Sequence, residues 1–215
     1  MVALWVLIAI AVVAIAVGAY LIERRRRRAF QALARALGLR YHRKSRGIPK
    51  QYRFLNQLCT GHSRYAKNIL DGVYREHAVL VFDFHYAQGS GKNRRNYDLS
   101  FFMLKLERPF PELRIYPEDL MSKLGQMLGY EDIDFESVEF SKAYTVRSKD
   151  KKFAYDVCHV RMMEHLLRWK DRSFEIEGEW MAMWFHKRLK PPQIPGTLDE
   201  LVATRELLPE YLFQR

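Results

Sequence analysis

The 215 residues are 48% hydrophobic and 13% aromatic, enough for one packed domain plus an anchor and too apolar for a broadly disordered chain. A formal charge of +11 would suit nucleic acid, but twelve Lys and Arg with no Asp or Glu lie between Arg24 and Arg53, leaving 24 basic against 24 acidic residues from 54 onward. A nucleic-acid-binding fold carries its excess on the folded body, so this distribution argues against that partner. Cys59 and Cys158 are too few for a disulfide framework.

Val2 to Ile22 is an uncharged apolar run, long enough for the hydrocarbon layer at ~1.5 Å per residue. It has no basic n-region and is followed at once by Arg24 to Arg28, which fits an uncleaved anchor better than a signal peptide. Positive charge flanking a span stays on the cytoplasmic side. The expectation is therefore a single-pass protein of the inner (plasma) membrane, N-terminus out and C-terminal domain in the cytoplasm. Trp5 and Tyr20 stand where interfacial aromatics belong.

A helix is predicted to continue from Glu23 to Leu39. Phe30, Leu33, Ala34 and Leu37 make one apolar stripe, and Gly38 is the terminator. With arginines at the other positions, this is the composition of a helix on an anionic leaflet; equally, the stripe fits against a following domain. Arg24, Arg25, Arg26, Arg27 and Arg28 are the candidate anionic-lipid contacts. Tyr41 to Lys50 reads as a polar linker. The chain thus divides into an anchor (1–22), a basic juxtamembrane helix and linker (23–50) and a soluble domain (51–215).

Ala66 to Tyr74 and Ala78 to Tyr86 alternate as strands around Arg75-Glu76-His77, and Tyr97 to Leu106 and Leu113 to Tyr116 read as two more. Pro117 opens a predicted helix that stops near Gly129. Phe140 to Arg147 is strand-like, and Asp150 to Trp169 is helical with a break near His159. Phe174 to Ile176 and Trp180 to His186 suggest a hairpin around Gly178. Thr197 is placed as the cap of a last helix. Short connections between strands imply antiparallel pairing, hence an α+β domain rather than a doubly wound one.

The stretch from 86 to 97, YAQGSGKNRRNY, invites a phosphate-loop reading and fails it. Tyr86 stands where the first glycine belongs, Asn93 replaces the Mg²⁺-binding hydroxyl, and a strand follows instead of a helix. It reads as a hairpin turn whose tip, with Lys92, Arg94 and Arg95, is a candidate for an anion or an acidic partner. Asp83 and His85 share a strand face and are the least unsuitable acid/base pair. Cys59-Thr60-Gly61-His62 lacks a second ligand pair, and the acidic run from Glu131 to Glu136 lacks the glycine and terminal glutamate of a calcium loop. No metal, cofactor or catalysis is expected.

Several patterns occur together: Gly61-His62, Asn68 to Gly72, the Phe82-Asp83…Gly89-Ser90-Gly91-Lys92-Asn93 hairpin, and Asp132-Ile133-Asp134-Phe135 with Phe140-Ser141…Tyr144. As a set they resemble a group of uncharacterised bacterial single-span membrane proteins over roughly residues 54 to 185. The resemblance implies that topology and a bacterial source, and brings no activity with it. The functional expectation is a membrane-tethered cytoplasmic module binding a protein partner or anionic headgroups. The alternative is a membrane-surface enzyme using Asp83, His85 and the Lys92 loop. A buried pocket joining Asp83, His85 and His62 would favour the enzyme.

Overall fold

The computed structural model describes residues 2–58, 61–119, 132–169 and 171–214. It is an α+β structure with a six-stranded antiparallel sheet. Helix α1 runs from Val2 to Ala36 and includes an apolar part long enough to cross a bilayer, none of it buried against the domain. At ~1.5 Å per residue its 35 residues extend about 52 Å. The stripe foreseen on its C-terminal third packs on the domain core, with Phe30 1% and Ala34 2% exposed.

After Gly38 the chain reverses into β1 (Arg40–Ser45), which pairs with β2 (His62–Tyr74). The segment expected to be a polar linker is therefore an edge strand. It lacks apolar alternation because it is almost wholly solvated; its charged side chains suit an edge, and Arg40 and His42 both meet Asp71 of β2. Two short helices, α2 (Ile48–Gln51) and α3 (Arg53–Leu58), follow. The β2–β3 hairpin (β3, His77–Gln88) turns on Arg75 and Glu76, both at positive φ, which matches the strand twist in a two-residue turn.

β4 (Arg95–Pro117) is the spine of the sheet. Its first half lies between β3 and β6 (Ser173–Phe185), its second half between β6 and β5 (Tyr144–Ser148). The two strands predicted at 97–106 and 113–116 are thus one bent strand. The predicted 174–186 hairpin is likewise one strand: both halves of β6 pair with β4, not with each other. Gly178, at φ +58, and the register shifts around Phe110 mark a corner in the β4–β6 ribbon. The corner brings Tyr116 back to 5.6 Å from Trp184.

Val138–Ala143 forms helix α4, where strand was expected; Ser137 caps it through the Phe140 amide, and the strand begins only at Tyr144. α5 (Lys151–Val157) and α6 (Val160–Leu167) are separated at Cys158 and His159, as foreseen. α7 (Ile194–Glu206) starts three residues before Thr197, with Pro195 in its first turn, and the Thr197 hydroxyl donates back to the Gln193 carbonyl. The helix predicted at 117–129 lies, beyond Asp119, outside the described residues. One apolar cluster joins the α1 stripe, α5, α6 and α7 to one sheet face; the other face holds an aromatic cluster of Phe82, Phe84, Phe101, Tyr116 and Trp184 beneath Tyr52, Phe54 and Leu55.

Candidate functional site

Two features stand out: a polar cluster that ties α1 to the sheet, and a groove beside the β1 edge. The cluster centres on Asp83, which is fully buried on β3 facing α1. Arg26 donates to both carboxylate oxygens in a two-pronged pair, Nε to Oδ2 at 2.9 Å and Nη2 to Oδ1 at 2.7 Å. Asn68 Nδ2 donates to Oδ2 at 2.9 Å, and Ser100 Oγ donates to Oδ1 at 3.2 Å. Asn68 reaches Asp83 because β2 is irregular between Lys67 and Leu70, with Asn68 itself at φ +50; a bulge there re-aims the side chain. Ser100 in turn accepts from the Leu189 amide at 3.0 Å.

Arg188 closes the arrangement, 3.5 Å from Asp83 and 3.0 Å from Glu23, the first charged residue after the apolar run. Burial works against its charge, but Asp83 and Glu23 outweigh this and hold its pKa above the ordinary arginine value. Two residues of α1, Arg26 and Glu23, are therefore locked to β3 and to the segment after β6. The cation of Arg26 also lies 4.9 Å from the ring of Phe30, one turn further on.

The groove holds about 680 Å³ and opens between β1, α2 and the second sheet face. Ile48, Tyr52, Ile69, Leu80 and Trp180 form an apolar wall, and the polar rim holds Lys44 together with Arg40 and His42, both paired with Asp71. Alternate residues of β1 and β2 line the groove, so it lies over the sheet face at the β1 side, and among the described residues β1 is the end strand of the sheet.

The predicted residues separate. Of the five arginines, Arg24, Arg25 and Arg28 are exposed and Arg27 is half-buried, while Arg26 is committed to Asp83. Asp83 and His85 share a face, but His85 turns to Asp98 at 3.3 Å and stacks on Tyr65. His62 is exposed and bonds the Gly89 carbonyl at 2.8 Å. None of Asp83, His85 and His62 lines the groove. Lys92, Arg94 and Arg95 are exposed around a single turn of 3₁₀ helix at Gly91–Asn93, after which the chain enters β4. Gly89 shapes that turn: at φ +72, a Cβ there would sit 2.5 Å from the Asn93 carbonyl oxygen. Among the described residues no group of three or more His, Cys, Asp or Glu is placed to hold a metal ion. Cys59 lies outside the described residues.

Sequence reasoning missed Asn68, Ser100 and Arg188 as partners of Asp83, and Arg188 as the partner of Glu23. The only local signal was Glu23, a lone acid at the head of an arginine run.

A second buried group lies around Arg114, which contacts Glu112 and Glu175, with Tyr116 donating to Glu175 at 3.1 Å. One arginine serves two carboxylates here, and complete burial pushes Glu175 up to about 8 despite Arg114.

No family model matches the chain, and no curated protein matches it. Among solved structures it is similar to the crystal structure of the mycobacterial trehalose monomycolate transport factor A, TtfA. The TM-score is 0.64 at 16% identity, over 86% of this chain and 93% of that one. What the two share is the fold.

Proposed function

We propose that this protein is a single-pass, membrane-tethered module that binds a protein partner at the cytoplasmic face and carries out no chemistry of its own. The observation that carries this reading is the rigid junction between α1 and the sheet. A flexible linker would suit an enzyme that searches for substrate; here the helix enters the fold without a break and is fixed by Arg26–Asp83 and Glu23–Arg188. Such a joint holds one face of the domain at a set height and angle above the bilayer.

The groove beside β1 is the partner site in this reading. Its apolar wall suits an extended segment with apolar side chains laid over the sheet face between β1 and α2, with Lys44 at the rim for an acidic group. Val73 at the groove mouth is 63% exposed and so open to a crosslinker. The enzyme alternative is weaker, because the Asp83 carboxylate is occupied by two arginines, an amide and a hydroxyl. TtfA is by name a transport factor, which accords with an accessory role.

The test is site-specific photo-crosslinking of the full chain in native membranes. A crosslinker at Val73 or Gln51 should give one discrete protein adduct that a control at Tyr155, an exposed residue of α5, does not give. The adduct should vanish when Leu80→Arg fills the groove. Equal adducts at all three positions would sink the groove as the site. A reporter fused to the C-terminus should be active only when it reads the cytoplasm; periplasmic activity would overturn the orientation.

A further inference from the structure

The near-neutral charge of residues 54–215 conceals a polarity that the contacts of α1 reveal. Gly38 and Leu39, at the end of α1's excursion over the domain, lie beside Gly72 of β2. Glu23 and Arg27 share a pocket with Lys67, Asn68, Arg43 and Lys44, and Arg26 reaches Asp83, which faces Lys67 across the β2–β3 register. Moving back along α1 from 39 to 23 therefore moves along β2 from Gly72 toward Lys67. The apolar part of α1 must leave the domain on the side of His62, where β2 begins.

The register places four other chain ends on that same side. Ser45 at the end of β1 faces Ala66, Gln88 at the end of β3 faces Arg95 at the start of β4, and Phe185 at the end of β6 faces Ser100. From Asp83 to Gln88 is roughly 17 Å of strand, so the β3–β4 hairpin reaches beyond the Arg26 level toward the membrane end of α1. This end of the sheet is basic. Arg43, Arg46, Lys92, Arg94, Arg95 and Lys190 are all exposed, and none is ion-paired among the described residues. The carboxylates nearby are already engaged: Asp83 by Arg26, Asp98 by Lys67 at 3.2 Å, and Asp171 by Lys187 at 3.0 Å.

We propose that this rim of strand-end loops rests on anionic lipid headgroups and fixes the orientation of the domain on the leaflet. It rests on the anchor reading of α1 and not on the partner groove. The rigid joint to α1 gives the rim a set distance from the bilayer, and its charges act because they are brought within about a Debye length, ~8 Å at physiological salt. The exposed Arg24, Arg25 and Arg28 after the span supply one set of contacts, and the rim a second that prevents rotation about α1.

The experiment uses the full chain with Cys59→Ser, a fluorophore on Asn93→Cys at the hairpin tip, and a second version labelled at Glu76→Cys on the opposite turn. Each is reconstituted into nanodiscs of phosphatidylcholine alone or an equal mixture with phosphatidylglycerol, doped with a headgroup spin-label quencher. In the anionic discs, quenching at position 93 should exceed that at 76 several-fold. It should decline as NaCl is raised, and fall toward the level at 76 when Lys92, Arg94 and Arg95 are changed to Glu. Equal quenching at 93 and 76, or quenching at 93 indifferent to lipid charge, salt and the Glu changes, would overturn the proposal. Flotation of the same samples reports the anchor separately: a chain that does not travel with lipid overturns both readings, whereas loss of the groove crosslink leaves this one standing.

Discussion

Asp83→Asn is the sharpest test of the junction, because it preserves shape and removes only the charge that two arginines surround. Breaking a buried ion pair from one side costs about 3–5 kcal/mol, since the remaining charge stays desolvated. Here the Arg26 and Arg188 side chains are 13% and 25% exposed and so recover part of their hydration, and Arg188 keeps Glu23. The expected loss is therefore at the low end, ~3 kcal/mol. For a domain of this size about 1 kcal/mol moves the melting temperature by roughly 2–4 °C, so the shift should be about 6–12 °C downward. The assay is thermal unfolding of the full chain in detergent, followed by far-UV circular dichroism, for wild type, Asp83→Asn, Arg26→Gln and the double variant. Contact between the two side chains predicts that the double variant is no worse than the poorer single one. Additive losses, or an Asp83→Asn shift under about 2 °C, would refute the claim that this pair joins helix to sheet.

Phe30→Ala should cost about 3–5 kcal/mol because the ring is 1% exposed in the core; a loss below about 1 kcal/mol would return the α1 stripe to the lipid surface. Glu175 makes stability depend on pH: its folded pKa of about 8 lies above the ordinary 4.5, so the folded state holds the proton more tightly and stability is full below about pH 4.5 and falls as pH rises toward 8. Glu175→Gln should flatten that slope in denaturant titrations at several pH values, and an unchanged slope would exonerate Glu175. Lys92→Ala should leave the melting temperature unchanged, and nucleotide titration of the full chain should show no ATP or GTP binding; micromolar affinity abolished by the substitution would revive the phosphate-loop reading.

Local pattern sufficed wherever a residue's neighbours in sequence are also its neighbours in energy. The apolar run, the arginine block, the Phe30–Leu37 stripe, the β2–β3 hairpin and the break at His159 were all readable, since helix periodicity and turn chemistry are short-range. The turn at Gly89 to Asn93 was readable for the same reason, because glycine conformation and the missing hydroxyl are local facts. Three features depended on distant pairing. β1 is a strand because β2 offers it an edge and Asp71 offers it charge, neither of which alternation within Arg40–Ser45 could signal. Residues 174–186 form one strand because β4 pairs with both halves through the corner at Gly178, so the glycine that suggested a hairpin marks a bend instead. The Asp83 cluster draws on positions 23, 26, 68, 83, 100 and 188, and only the folded chain brings them within hydrogen-bond reach. Composition fixes how much charge the chain carries; register and the exit direction of α1 decide which end of the sheet presents it.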